Sequence, residues 1–196
     1  KLYGEELFKK LSEKRISAQR YPAFKNFRAW AQPDAVLDQL ESGQPYRIKA
    51  AWIQSENILA CMAADPRRHF EALKKLDFIA VVDLFLTPTA QALGDIFLPA
   101  ATFPEKESIR SWWSPLSVTV KAVEVEECKS DWEINLEMAK RLSTKPYPFK
   151  TVKELLNSRL NVAGKNYDEL AAKGSWEATP EGPSKPYYRY KRGLLR

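Results

Sequence analysis

The sequence holds one histidine, two cysteines and seven glycines in 196 residues, and each scarcity removes a kind of chemistry. His69 has no Ser or Cys nucleophile at motif spacing, so a catalytic triad is not expected and His69 reads as an ordinary helix residue. Cys61 and Cys128 stand far apart with no C-x-x-C, so a four-cysteine zinc or iron–sulfur site cannot be built. They read as two reduced, partly buried thiols, with a single disulfide left open. The glycines form neither G-x-G-x-x-G nor a Walker loop, which removes both common phosphate cradles. No apolar run approaches the ~20 residues of a membrane-spanning helix, and no charged region leads into an apolar one as in a signal peptide. Neither a membrane span nor a leader is predicted, and the compartment, cytoplasmic or periplasmic, stays open. A first residue of Lys1 rather than Met fits a fragment or a processed form.

The formal charge of +6 suggests nucleic acid until it is located along the chain. Lys185, Arg189, Lys191, Arg192 and Arg196, with no acid among them, carry most of that excess, so the body is near neutral. Interleaved with Tyr187, Tyr188 and Tyr190, this basic stretch could stack on and neutralise a nucleic acid. It follows Pro180, Gly182, Pro183 and Pro186, however, and reads rather as a linker crossing a surface, so no nucleic-acid partner is expected.

Three apolar runs organise what is present. Residues 48–53 empty into Gln54-Ser55-Glu56-Asn57, residues 78–82 end on Asp83, and residues 95–98 stop at Pro99. Runs of this length without strict alternation suit strands of a parallel sheet covered on both faces. Between the first two, Asp65-Pro66 is a helix start, followed by Phe70, Leu73 and Leu76 at helical spacing. Between the second and third, Thr87-Pro88-Thr89-Ala90 opens a short helix. The pattern is β-α-β-α-β, and right-handed crossovers make the strands parallel, with their polar exits on one edge. Outside this segment, a short amphipathic helix carries Leu7, Phe8 and Leu11, and the span from there to Gln32 reads as irregular. Pro33 opens a helix that Gly43 closes, and Gln44-Pro45-Tyr46 turns into the first strand. Val118, Val120, Ala122 and Val123 suggest an extended segment. Ser130-Asp131-Trp132-Glu133, Thr151-x-x-Glu154 and Asn166-x-x-Glu169 have capping-box spacing, the last starting a helix that ends at Gly174.

The polar edge gathers Ser55, Glu56, Asn57, Asp83, Thr87, Thr89 and Asp95. Ionised carboxylates only accept hydrogen bonds, so such an edge suits a ligand rich in donors, and guanine offers two adjacent donors to one carboxylate. The alternative is that Asp83 and Asn57 merely satisfy loop backbone groups.

These residues also resemble a family. The stretches Ile48-Lys49-Ala50-Ala51-Trp52-Ile53-Gln54-Ser55-Glu56-Asn57, Asp83-Leu84-Phe85-Leu86-Thr87-Pro88-Thr89-Ala90, Asp95-Ile96-Phe97-Leu98-Pro99-Ala100-Ala101-Thr102 and Glu105-Lys106-Glu107, with Ser130-Asp131-Trp132-Glu133-Ile134, are similar to catalytic subunits of molybdopterin oxidoreductases. This is the dimethyl-sulfoxide reductase family, including formate dehydrogenases and nitrate reductases. The resemblance covers about Gly43 to Arg196, with Tyr190–Arg196 like the approach to a C-terminal barrel. It implies a molybdenum or tungsten ion held by two pterin guanine dinucleotides, an iron–sulfur cluster (4Fe-4S) elsewhere in the parent, and two α/β domains that each grip one dinucleotide tail. This chain resembles one of those domains. Carried over by position, Ser55, Glu56, Asn57, Cys61, Val82, Asp83 and Asp131 should line the guanosine-phosphate site, with Thr87 and Asp95 as further candidates. Asp131 can alternatively serve only its helix dipole.

There are departures. The family commonly has Gly at the place of Ser55 and Pro at that of Ile58, and one residue is extra between Thr89 and Asp95. Ser108-Ile109-Arg110-Ser111-Trp112-Trp113 replaces a glycine and polar loop, and would serve a particular substrate subgroup. No segment corresponds to the cysteine cluster or the metal ligand, so no catalytic residue and no metal ligand is expected here.

The expected fold is α/β, a three-layer Rossmann-like domain with a short parallel sheet and additional helices. Residues 1–45 form a lead-in, 46–145 a molybdopterin guanine dinucleotide-binding domain, and 146–196 a helical extension and linker. Expected partners are the remaining domains of the parent subunit and an iron–sulfur electron-transfer subunit. Two alternatives stand: a non-catalytic interaction module, favoured if Trp112 or Trp113 plugs the crevice, and a non-redox parent of the hydratase or transhydroxylase type.

Overall fold

A computed structural model describes residues 5–16, 20–21, 31–61, 64–111, 116–125, 127–143, 146–173 and 175–176. Trp112, Trp113, Gly174, the basic tail from Lys185 and most of the span expected to be irregular lie outside them. The chain divides into two compact units, Lys1–Ala100 and Ala101–Arg196. That division falls inside the 46–145 span expected to be one domain. The parallel strands end at Pro99, and the later strands pair antiparallel among themselves.

The first unit contains α1 (Glu5–Lys14), α2 (Pro33–Ser42), β1 (Ala50–Gln54), α3 (Ile58–Cys61), α4 (Pro66–Leu73), β2 (Phe78–Asp83), α5 (Pro88–Leu93) and β3 (Ile96–Pro99). The caps explain the helix bounds. Asp65 accepts from the Arg68 amide, Thr87 accepts from the Ala90 amide, and Pro occupies the first helical position in α2, α4 and α5. Gly43 closes α2 at φ 70°, the left-handed region where a Cβ is costly. The turn into β1 contains a cis Gln44–Pro45 bond.

The three strands form a parallel sheet in the order β1-β2-β3, with Ile53 beside Val81 and Val81 beside Phe97. Because the order never reverses, two right-handed crossovers put α4 and α5 on the same face. Leu37 and Leu40 of α2, Ala72 and Leu73 of α4 and Ala90 of α5 pack there against Ile53, Ile79 and Val81. The opposite face carries Ala80 and Val82, both buried, together with Trp52, Phe78 and Ile96, which are exposed. Among the described strands there is therefore no topological switch point of the kind that the expected crevice assumed. The parallel strands still share one rim of exits.

The second unit contains a 3-10 turn (Phe103–Glu105), β4 (Ser108–Arg110), β5 (Leu116–Thr119), α6 (Asp131–Leu142), α7 (Val152–Leu160), α8 (Tyr167–Lys173) and β6 (Ser175–Trp176). The strands form a small antiparallel sheet in the order β4-β5-β6 that the sequence pattern did not announce. Its core is Leu156, Leu160, Tyr167 and Leu170, with Ile109, Leu116, Val118 and Trp132 packed against it. Ser130 and Glu133 form a reciprocal capping box on α6. Thr151 caps α7 through the Glu154 amide, whereas the Glu154 carboxylate takes the Lys150 amide, completing only half of the expected box. Asn166 accepts from the Glu169 amide at the start of α8.

Candidate functional site

β1 and β2 leave the sheet side by side. Gln54 is in register with Val82, and the Ser55 amide donates to the Val82 carbonyl at 2.9 Å. Ser55 then turns the chain at φ 54°, left-handed backbone that a non-glycine residue adopts at a cost of roughly 1–2 kcal/mol. This is where the family pattern has Gly. The turn delivers Glu56 and Asn57 to the rim, and the Asn57 carbonyl accepts from the Ala60 and Cys61 amides to start α3.

The Asn57 side chain is anchored from the other crossover. Thr89 of α5, 0% exposed, donates its hydroxyl proton to Asn57 Oδ1 at 2.8 Å and accepts from the Leu59 amide at 3.0 Å. One buried hydroxyl thus caps α3 and holds Asn57, joining the loop after β1 to the helix before β3. Asp83, half-buried at the end of β2, accepts from the Leu84 amide through Oδ1 at 2.7 Å. Its Oδ2 and the Glu56 carboxylate have no partner among the described residues. Leu84, Phe85 and Leu86 follow, all exposed, with Phe85 at 73%.

The structure brings Ser55, Glu56, Asn57 and Asp83 to one rim, since the first three follow the carboxyl end of β1 and Asp83 is the last residue of the neighbouring β2. Thr87 is also at this end, but its hydroxyl is occupied in capping α5. Cys61 is an exposed free thiol at the end of α3, and Cys128 is a free thiol whose pKa burial raises.

Two expected site residues are placed otherwise. Val82 is 0% exposed and its carbonyl holds Ser55, so its side chain belongs to the packing of the sheet rather than to a binding surface. Asp95 lies at the opposite end. It precedes β3, its Oδ2 accepts from the Ile79 amide at 2.7 Å, and the rise of a strand puts that level roughly 13 Å from Asp83. The extra residue before β3 does not alter this, because Asp95 enters a strand that Asp83 leaves in register with Pro99. A cavity of about 260 Å³ bounded by Gln39, Glu41, Arg47 and Lys75 also lies toward the amino ends of the strands.

Asp131 belongs to the second unit. It is the first residue of α6, partly buried, and pairs with Lys106 Nζ at 2.7 Å. Nearby in sequence, the Thr102 hydroxyl and amide donate to Glu105 and hold its carboxyl below the ordinary range. Reading the residues singly missed the anchoring role of Thr89 and the pairing of Lys106. The Glu105-Lys106-Glu107 motif was a signal for the second, whereas the first needs the tertiary fold.

Comparison with known proteins gives the family of the chain. A family model described as Molybdopterin oxidoreductase matches residues 28–141. Dopamine dehydroxylase from Eggerthella lenta is 30% identical over 139 residues, covering 69% of this chain and 13% of that protein. The F420-dependent formate dehydrogenase subunit alpha of Methanocaldococcus jannaschii is 34% identical over 154 residues, covering 74% of this chain and 22% of that protein. The solved structure of acetylene hydratase from Pelobacter acetylenicus superposes with a TM-score of 0.66 at 26% identity, covering 81% of this chain and 24% of that one. The chain belongs to the molybdopterin oxidoreductase family. It spans between 13% and 24% of the length of these relatives.

The family implies a molybdenum or tungsten pterin cofactor. Among the described residues no group of three or more His, Cys, Asp or Glu comes together to hold a metal ion. The rim offers instead two carboxylates and a carboxamide, acceptor-rich chemistry that fits an organic ligand carrying N–H and O–H groups better than a bare phosphate.

Proposed function

We propose that this chain holds the guanosine end of one pterin guanine dinucleotide within a longer molybdenum or tungsten oxidoreductase. The observation that carries this is the convergence of Glu56, Asn57 and Asp83 on one strand-exit rim, with Asn57 anchored by Thr89 and one Asp83 oxygen without a partner among the described residues. An ionised carboxylate can take the paired N–H groups of guanine, and the left-handed turn at Ser55 carries the chain from β1 to Glu56 and Asn57 at the same rim. Asp131 lies in the second unit, its charge shared with Lys106, and is not counted in this rim. When bound, the pterin and its metal would supply the electron-transfer chemistry, while this chain's residues would position the remote nucleotide tail. Metal ligation and any iron–sulfur cluster would fall to other parts of the parent, with an electron-transfer subunit as partner.

The test is thermal unfolding of the 196-residue chain with guanosine and adenosine nucleotides. A rise in melting temperature with guanosine only, lost in Asp83→Ala, is expected; equal shifts for both bases would refute the reading. A second reading, that the parent performs a non-redox hydration, is favoured by the structural likeness to acetylene hydratase. It leaves the role of the rim unchanged, and assay of the parent for redox turnover separates the two.

A further inference from the structure

We infer that Thr89 sets the hydrogen-bonding polarity of the rim, fixing Asn57 as a donor toward the carbonyl oxygen of an oxopurine. The inference rests on the guanosine reading above and adds a positioning residue and a basis for base selectivity.

A hydroxyl has one proton and two acceptor sites. Thr89 is fully enclosed, and one acceptor site is taken by the Leu59 amide at 3.0 Å. Its proton needs an acceptor within the protein, and Asn57 Oδ1 at 2.8 Å supplies it. Turning the carboxamide over would set its NH2 against the hydroxyl and strand the Thr89 proton in a dry interior, which buried polar groups avoid. The oxygen of Asn57 is therefore committed inward, and Nδ2, with two protons, has no partner among the described residues.

The same rim then carries one donor, Asn57 Nδ2, and two carboxylate acceptors, Glu56 and Asp83 Oδ2. Guanine presents O6 as an acceptor next to the N1 and N2 donors. Adenine reverses this, with an amino donor at position 6 and an acceptor at N1. A rim of acceptors alone would take the adenine amino group readily, whereas a fixed Asn57 donor meets it with like polarity. Hypoxanthine, which keeps O6 and N1–H, fits as guanine does except for the missing N2 group. A binding site built to donate to a specific oxygen rejects the analogue lacking it far better than shape alone can.

The experiment titrates the full chain with guanosine, inosine and adenosine diphosphates by calorimetry, and follows the Asn57 Nδ2 protons by NMR. Wild-type chain should bind the guanosine and inosine forms over the adenosine form, with the Asn57 resonances moving on binding. Thr89→Val, of nearly equal shape, should lower guanosine diphosphate affinity about tenfold and erode the preference over adenosine, as expected for one misplaced hydrogen bond. Thr89→Ser should restore both. Should Thr89→Val unfold, Asn57→Asp carries the test, because it exchanges the donor for an acceptor at the rim and should abolish the guanosine preference. Wild-type affinity and selectivity in folded Thr89→Val, or in Asn57→Asp, would overturn the inference alone. Guanosine binding that leaves the Asn57 Nδ2 resonances unmoved would do the same. No guanosine binding by the wild-type chain would overturn the reading of the rim itself.

Discussion

Raising the pH through the tyrosine range tests the packing of the second unit. Tyr167 is 2% exposed, its hydroxyl donates to the Thr119 carbonyl at 2.7 Å, and burial, with Glu107 and Asp168 nearby, pushes its pKa up to about 12 from 10.0. A folded-state value above the unfolded one means that the fold favours the neutral phenol. The contribution is complete below pH 10 and is lost as the pH rises toward 12. At 1.36 kcal/mol per unit, the two-unit difference corresponds to roughly 3 kcal/mol of stability lost across that window. Urea unfolding at steps from about pH 8 to about pH 12 reads this as a falling midpoint, and the wild-type minus Tyr167→Phe absorbance difference isolates one phenolate. Tyr167→Phe gives up the hydrogen bond to the Thr119 carbonyl, at a cost of about 1 kcal/mol near neutrality, but it removes the Tyr167 share of the alkaline slope. The two stability curves should therefore cross inside the window. A Tyr167 phenolate that forms near pH 10, or an undiminished slope in the variant, would refute the argument.

Other expectations are equally direct. Ser55→Gly relieves left-handed backbone and should raise the unfolding free energy by up to about 1 kcal/mol after the larger chain entropy of glycine is subtracted; a lower value in urea unfolding would mean that the Ser55 side chain contributes more than its turn costs. Ser130→Ala breaks the capping box of α6 and should cost about 1 kcal/mol, with faster amide exchange at Glu133 in the first turn. Arg68 bonds both Asp38 and Glu41 and holds both carboxyls below their ordinary values of 3.8 and 4.5. Such lowered values give stability that is present above the unfolded pKa values and lost as the pH falls through the folded ones. Arg68→Met should thus weaken the first unit at neutral pH and flatten its acid limb, so that variant and wild type converge in acid melts; parallel curves would deny the linkage.

How far the fold could be read in advance depended on the range of the forces involved. The caps at Asp65, Thr87, Ser130 and Gly43 are local, and their helices begin or end where residue chemistry requires. The three parallel strands were legible because each carries a run long enough to register as apolar, although only β2 is buried along most of its length. The antiparallel sheet was not. β4 has three residues and β6 two, too few for a period, and Leu116 pairs with Trp176 far along the chain. The site divides in the same way. Which residues follow a strand can be read from the run that precedes them, and so Asn57 and Asp83 were placed together. Val82 and Asp95 differ from expectation because exposure and strand direction belong to the assembled sheet. The polarity of Asn57 was invisible, since it depends on a hydroxyl 32 residues away.

The Thr89 hydroxyl has a consequence for how the first unit comes apart. Leu59 and Asn57 lie before one crossover and Thr89 in the next, and no water reaches the group that joins them. Lifting either segment strands polar atoms in the other, so the two should share a single opening event instead of fraying independently. The amides of Leu59, Ala60 and Ala90 should then exchange with deuterium as one cooperative block.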